Sequence, residues 1–326
     1  MQYIPHFIIY TCYTFKFTCM IRVTLLAIGF ILLIVQYFIH PIPNSTQFVI
    51  FLIGIILLGV PHGAADLLVA TENIGKQAFS TTKFFAIYLS RLFLFAAILY
   101  FFPLAGNILF IFIAAYHFGE TDLFQFKTDK LIGKLFVTSY GLVILSIILV
   151  NHFEEVIPIF MMFESGAKHI ETINWIDGHR LLLMSIAGIA FFTTTFIYFL
   201  QYNDIEQKDK GDFITRFAFL CVLLYFMPMA LGFTFYFIIW HSILSLKNIV
   251  GYLRVDNNHD SSAIIKQIVL YSALALAGIG IFGFSAFYYG NNSAMAGYIF
   301  IGLAVLTAPH MEVMHSMYKN LRNTAS

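Results

Sequence analysis

Residues 47–70 read QFVIFLIGIILLGVPHGAADLLVA, and this stretch decides the fold. It exceeds the roughly 20 apolar residues that an α-helix needs to cross the hydrocarbon core of a bilayer. Its only ionisable side chains are His62 and Asp66, which lie near one end. The stretch therefore predicts a membrane-spanning helix that carries a polar site.

The rest of the chain has the same apolar character. Of its 326 residues, 60% are hydrophobic and 11% are charged, whereas soluble domains carry about 25% charged residues. A globular protein could not remove so much apolar surface from water. The net charge of +1 does not indicate a nucleic-acid partner, and Cys12, Cys19 and Cys221 form no disulfide or metal-binding pattern. We therefore predict an all-α, polytopic integral membrane protein.

Further apolar runs predict about ten membrane-spanning helices bundled around one site. If the N-terminus is cytoplasmic, the inner segments hold most of the Lys and Arg residues, whereas the outer loops hold only Lys168 and Arg180. This is the bias expected of cytoplasmic loops. We predict a multi-pass protein of the bacterial inner membrane, with both termini cytoplasmic and with these approximate spans: 22–39, 47–70, 82–102, 105–126, 131–151, 180–201, 213–229, 231–250, 265–288 and 295–317.

The predicted organisation is a single membrane domain with short flanks. Residues 1–21 form a cytoplasmic extension, 22–317 the transmembrane domain, and 318–326 a cytoplasmic tail. The extension lacks the small-residue cleavage site of a signal peptide, so the first span is expected to be retained; a start at Met20 stays open. The long outer loop, 152–179, is acidic and is expected to contain a short surface helix.

Five histidines fall within the predicted spans, and four of them share one depth. His62, His117, His241 and His310 lie on four helices of the same direction, about 10–15 residues from the outer end, or roughly 15–23 Å deep. Ionisable residues at membrane depth are expensive and commonly functional. Unrelated structural histidines need not share a layer, whereas ligands of one ion must. We therefore predict that these four are the metal ligands and the catalytic residues, while the fifth, His315, stays without a role.

Each of these histidines is followed by a polar side chain about one turn further along its helix. Residues at i+3 and i+4 share a face, and a metal-bound imidazole usually donates its second N–H to a carboxylate or carbonyl. The expected partners, which would also offset the charge of an ion, are Asp66, Glu120, Asp122 and Ser245. A site made of imidazoles suits iron, copper, zinc or nickel.

Two further expectations concern the surroundings of the site. Arg91, in the middle of the third predicted span, is expected to pair with a nearby carboxylate. The aromatic residues that adjoin the histidines are expected to line a substrate pocket: Tyr116, Phe118, Tyr236 and Trp240.

Four motifs together resemble the bacterial β-carotene 15,15′-dioxygenase family, also called the Brp/Blh family. They are Pro61-His-Gly-Ala-Ala-Asp66, Tyr116-His-Phe-Gly-Glu-Thr-Asp122, Trp240-His-Ser242 and Pro309-His-Met311. The resemblance covers about residues 47–317. It implies a multispan enzyme that binds non-haem Fe(2+) through His62, His117 and His241. It also implies that β-carotene is split at its central double bond with O2 into two all-trans-retinal molecules, which commonly supply a rhodopsin.

The sequence departs from the family pattern at one position. The family motif resembles Trp-His-Ser-x-x-His, with the second histidine also a ligand, and here Ser245 occupies that place. Serine is a poor iron ligand. The resemblance leaves open whether His310 completes the site, whether three histidines and water suffice, or whether the activity has changed.

Two other classes of protein stay open from the residues alone. Intramembrane His and carboxylate groups also form proton relays in transporters, which would be proton- or metal-coupled here. Histidines on facing helices can also bind haem b. A transporter is expected to show internal repeats, and none is evident; a haem protein is expected to show a Soret band.

Overall fold

The computed structural model describes residues 20–75, 78–161, 169–257, 261–289 and 295–325, and the regular elements of these residues are all helices. The all-α prediction agrees with this architecture. In chain order the helices are α1 Met20–Ile39, α2 Asn44–Ile74, α3 Thr81–Phe101, α4 Pro103–Asp122, α5 Leu131–Val150, α6 Phe153–Met161, α7 Ile170–Gly178, α8 Arg180–Gln201, α9 Gln207–Phe226, α10 (229–257), α11 Ser261–Tyr289 and α12 Met295–Ala325.

Eight of these helices are long and apolar enough to cross a membrane, namely α1–α5, α8, α10 and α11. The long helices α9 and α12 coincide with the seventh and tenth predicted spans, so the count of ten stays a prediction. The outer loop contains two short helices, α6 and α7. Most of the predicted N-terminal extension, with Cys12 and Cys19, lies outside the described residues. The predicted cytoplasmic tail, 318–326, stays a prediction, and its residues are helical as far as Ala325, where α12 ends.

Segments that the sequence assigns to the same side of the membrane contact one another. Between α4 and α5, Lys127 pairs with Asp204 of the α8–α9 connection at 3.1 Å. At the opposite end, the Tyr37 hydroxyl donates to the Phe226 carbonyl at 2.6 Å. The alternation of helix directions is therefore consistent within the bundle.

Two glycines allow α4 and α5 to approach each other closely. A Cβ on Gly119 would lie 2.0 Å from the Val137 carbonyl oxygen, and one on Gly141 would lie 1.9 Å from the Ala115 carbonyl oxygen. Small residues allow such approach between helices in membranes, where packing rather than the hydrophobic effect drives association. The pair holds the His117 segment of α4 in the middle of the bundle.

Two helices contain π-helical turns beside the predicted ligands. The turn Ile55–Gly59 of α2 ends shortly before His62, and the turn Thr234–His241 of α10 includes its histidine. A π-turn closes i→i+5 hydrogen bonds and is often found at functional sites. These turns set the faces on which the two imidazoles project.

Candidate metal centre

Three imidazoles meet in the middle of the bundle. His62 of α2, His117 of α4 and His241 of α10 are buried, and one ring nitrogen from each lies within 4.8 Å of the other two. The Nε2 atoms of His117 and His241 are 3.1 Å apart. Metal–imidazole bonds are about 2.0–2.1 Å long, so nitrogens on opposite sides of one ion are separated by roughly 4 Å. Small side-chain adjustments would let all three bind a single ion.

The fourth predicted histidine lies against this triad. The ring centroid of His310, on α12, is 5.0 Å from that of His62 and 5.0 Å from that of His117. Its Nδ1 lies 2.7 Å from Asp66 Oδ1. The structure therefore places the four predicted histidines together, one from each of four helices.

Asp66 has a different partner from the one that helix spacing suggested. The i+4 relation pointed to His62, but the carboxylate contacts His310 across the helix interface and accepts a hydrogen bond from the Tyr88 hydroxyl at 2.9 Å. His62 instead places its Nδ1 3.4 Å from the Leu58 carbonyl, one turn back on its own helix. Tyr88 of α3 had no sequence signal apart from being a tyrosine at membrane depth.

Glu120 and Asp122 point into two other polar clusters. The Glu120 carboxylate lies 2.9 Å from His315 Nδ1 and 2.7 Å from an Arg322 guanidinium nitrogen, both on α12. Asp122 accepts hydrogen bonds from Tyr140 at 2.8 Å, from Tyr236 at 3.1 Å and from the Trp240 indole at 3.0 Å. These contacts tie α4 to α12 and to α5 and α10, so their positions indicate a role in holding α4 in place.

Replacing Arg322 by alanine is expected to destabilise the protein by on the order of 3 kcal/mol, because a buried carboxylate loses its strongest partner. The Glu120 side chain is fully buried and that of Arg322 is 14% exposed. Thermal unfolding of the detergent-solubilised protein, followed by size-exclusion chromatography, would measure the loss.

The matched control for this prediction is Asp204→Ala, which breaks the solvent-exposed pair with Lys127 and is expected to change the midpoint little. Adding Glu120→Gln to Arg322→Ala should restore part of the stability, because the buried charge is then gone. An Arg322→Ala midpoint equal to that of the control would contradict the assignment.

Ser245 lies in a polar layer one turn beyond the histidines. Its side chain is fully buried on α10 and lies near the Tyr318 hydroxyl of α12, as does Thr121 of α4, but its Oγ makes no hydrogen bond among the described residues. Asn248 donates to the same hydroxyl at 3.4 Å. This layer joins three of the helices that carry the four histidines.

Of the four aromatic residues predicted to line a pocket, Phe118 contacts the imidazoles most closely, with its ring centroid 4.8 Å from that of His241. The other three point their polar atoms elsewhere. The Tyr116 hydroxyl is 3.3 Å from Glu120, and the Tyr236 hydroxyl and the Trp240 indole N–H donate to Asp122. The Tyr236 ring still packs against Phe118, with the two ring centroids 5.3 Å apart.

Sequence reasoning missed Phe237, whose ring stacks on His241 at 6.1 Å and meets His62 at 6.2 Å. It lies four residues before His241, so the i−4 spacing could have identified it. From Phe237 a row of rings runs through Phe233 at 5.4 Å and Phe51 at 5.9 Å to Phe48 at 6.3 Å. Phe48 is 40% exposed on the outside of the bundle, so the row connects the surface of the bundle to the imidazoles.

Arg91 of α3 forms an ion pair with Glu312 of α12. The expectation that this arginine pairs with a carboxylate near the histidines is confirmed. Glu312 follows His310 by two residues, so the pair joins α3 to the helix that carries the fourth imidazole.

Comparison with known proteins gives two matches. A family model described as Beta-carotene 15,15'-dioxygenase matches residues 53–318, a range that includes the four clustered histidines. A curated protein from an uncultured marine bacterium 66A03, named Beta-carotene 15,15'-dioxygenase, is 24% identical over 273 residues, which cover 81% of this chain and 92% of that protein. No solved structure matches the chain.

Proposed function

Because this chain belongs to the beta-carotene 15,15'-dioxygenase family, we propose that it cleaves β-carotene at the central 15,15′ double bond with O2 and releases two all-trans-retinal molecules. The family match, which extends through the histidine cluster, supports carotene cleavage. The observation that carries the proposed site is the buried triad of His62, His117 and His241, with its ring nitrogens within 4.8 Å of one another. We propose that this triad binds Fe(2+).

The residues present fit such an ion. Neutral imidazoles are good ligands for iron. Hard cations such as Mg²⁺ prefer oxygen ligands, so a site made of imidazoles disfavours them. Among the described residues, His310 Nε2 is buried and has no hydrogen-bond partner, and a buried acceptor without a partner costs free energy. A cation at the centre of the cluster would use this nitrogen lone pair and would be offset by the Asp66 carboxylate.

The chain's own contribution to the reaction is orientation and exclusion of water. His62, His117 and His241 are at most 5% exposed, and Phe118 and Phe237 cover the imidazoles. β-Carotene is an apolar polyene dissolved in the bilayer, so its site should be largely apolar and open to lipid. The row Phe48, Phe51, Phe233 and Phe237 supplies such a path, and the polyene would lie along it with its middle next to the histidines.

The overall reaction needs no proton donor or acceptor. One C=C bond breaks, two C=O bonds form, and the two oxygen atoms of O2 enter the two aldehydes, so no external reductant is consumed. When bound, ferrous iron supplies the binding and activation of O2. The protein positions the substrate and keeps the site dry, which is the usual division of labour in such enzymes.

The proposed location follows from the substrate. A multi-pass protein of the bacterial inner membrane would take β-carotene from the lipid bilayer, and the retinal produced there could pass to a rhodopsin without crossing water. The eight long apolar helices support a place in a membrane.

Cells that accumulate β-carotene should form retinal when they express the native chain, and chromatography of their extracts would detect it. With ¹⁸O2, both product molecules should carry the label, because each oxygen atom goes to a different aldehyde. The purified protein should lose activity when an iron chelator is added and regain it with Fe(2+).

Intact carotene beside folded, iron-supplied protein would contradict the proposed substrate. A Soret band in the purified protein would instead support haem b binding, and a metal- or proton-dependent flux in vesicles would support a transporter. Long-chain apocarotenals in place of retinal would place the cleavage away from the central bond.

A further inference from the structure

We propose that His310 is the fourth imidazole ligand of this centre and that Asp66 is the residue that positions it. The inference rests on the proposed metal at the triad and adds the ligand that the Ser245 position does not supply. It concerns this chain's departure from the family pattern. The geometry on α12 and α2 carries it.

The position of the His310 ring matches those of the triad. Its centroid lies 5.0 Å from His62 and from His117, while the centroids within the triad are 4.7 Å apart for His117 and His241 and 5.5 Å apart for His62 and His241. The His310 imidazole is therefore as close to its neighbours as they are to each other. It is also buried to the same degree, with 5% of its surface exposed.

The orientation of the ring is fixed through its other nitrogen. Nδ1 lies 2.7 Å from Asp66 Oδ1, and a carboxylate oxygen there accepts a hydrogen bond from the Nδ1–H group. Nε2 is then the nitrogen with the free lone pair, and it has no hydrogen-bond partner among the described residues. A carboxylate that holds a histidine in this tautomer is the usual outer partner of a metal ligand.

Asp66 is itself held in place. Its Oδ2 accepts the Tyr88 hydroxyl at 2.9 Å, so both oxygens are engaged, and the side chain is 6% exposed. A buried carboxylate needs such partners to remain charged. Its negative charge beside four neutral imidazoles would offset part of the charge of a divalent ion.

Ser245 occupies a different environment. Its hydroxyl lies near Tyr318, together with Thr121, in the polar layer one turn from the imidazoles, and makes no hydrogen bond among the described residues. This layer connects α10 to α12, the helix that carries His310. Ser245 therefore follows His241 by one turn of α10, whereas His310 of the neighbouring helix lies directly against the imidazoles of His62 and His117.

The test measures metal binding on the full chain, purified in detergent and loaded with ferrous iron. X-ray absorption of the native protein should show four imidazoles on the iron. His310→Ala should weaken iron affinity at least about 100-fold, and Asp66→Asn about 10–100-fold, the range seen for outer partners of metal ligands. In Asp66→Asn the imidazole count should also become heterogeneous, which a purely structural role would not cause.

The matched control is His315→Ala, which removes the other histidine–carboxylate pair of the same helix, with Glu120 at 2.9 Å. Its iron affinity should equal that of the native protein. His310→Gln, which keeps a polar side chain of similar size, is measured beside His310→Ala to separate ligand loss from misfolding, and the imidazole count of the native protein needs no variant.

Three imidazoles in the native protein, or native iron affinity in His310→Gln, would overturn the inference while leaving the proposed function intact if retinal is formed. A native chain that neither binds iron nor forms retinal would overturn both. Four imidazoles with native affinity in Asp66→Asn would remove only the positioning role of Asp66.

Discussion

Retinal formation should fall at least about 100-fold when His62 is replaced by alanine, since losing a ligand should exceed the 10–100-fold effects typical of outer partners. His62 projects from α2 into the cluster, where its ring lies 5.0 Å from His310 and 5.5 Å from His241. The substitution removes one of the three imidazole nitrogens that the triad offers to the metal. The measurement is retinal by chromatography in cells that accumulate β-carotene, with iron content determined on the purified protein.

The control for this variant is a histidine outside the bundle. His179 follows α7 in the outer loop, where its Nδ1 bonds the Trp175 carbonyl at 2.8 Å, so His179→Ala should form retinal at the native level. His62→Ala leaves the contacts between α4 and α5 unchanged and is expected to remain folded. Native retinal from a folded His62→Ala protein would disprove a catalytic metal at the triad.

Gly141→Ala is expected to lower the free energy of unfolding strongly, although it adds only one methyl group. Its new methyl carbon would lie 1.9 Å from the Ala115 carbonyl oxygen and 2.5 Å from the carbonyl carbon. Backbone atoms cannot move aside as a flexible side chain does, so α4 and α5 must separate. Overpacking usually costs about 1–3 kcal/mol and occasionally more, and a backbone clash should reach the upper end or beyond.

The measurement is the yield of monodisperse protein and its thermal midpoint in detergent. Gly188→Ala on α8 is the matched control, because a Cβ there meets nothing within 4 Å, and alanine is favoured over glycine within a helix by about 1 kcal/mol. The control should therefore be as stable as the native protein or slightly more so. Equal behaviour of the two variants would mean that α4 and α5 are not in close contact.

The sequence was most informative where one physical rule acts alone. Apolar run length located the long helices, because a bilayer imposes a minimum length on any helix that crosses it. Depth along four helices brought together His62, His117, His241 and His310, because similar rises from one surface place residues in one layer. Neither inference requires information on which helices are neighbours in the bundle.

Partner assignments were less reliable, because they depend on the helix across the interface. Helical spacing predicted Asp66 as the partner of His62, but in the structure Asp66 of α2 contacts His310 of α12. The same spacing linked Glu120 and Asp122 to His117. In the structure Glu120 instead pairs with Arg322, and Asp122 accepts a hydrogen bond from Trp240. The face of a residue follows from its own helix, but what it meets follows from packing, which one sequence does not reveal.

The π-helical turn Thr234–His241 has a consequence for how related chains are compared. One residue beyond the α-helical count is accommodated there, so deleting one residue from the turn would restore the α-helix and rotate the preceding part of α10 by about 100° relative to the part that follows. Side chains that precede the turn, such as Phe233, would then point in a different direction relative to His241. The ligand geometry is therefore encoded in a residue count as well as in residue identity, and a single-residue gap in an alignment matters more at this turn than several substitutions elsewhere on the helix.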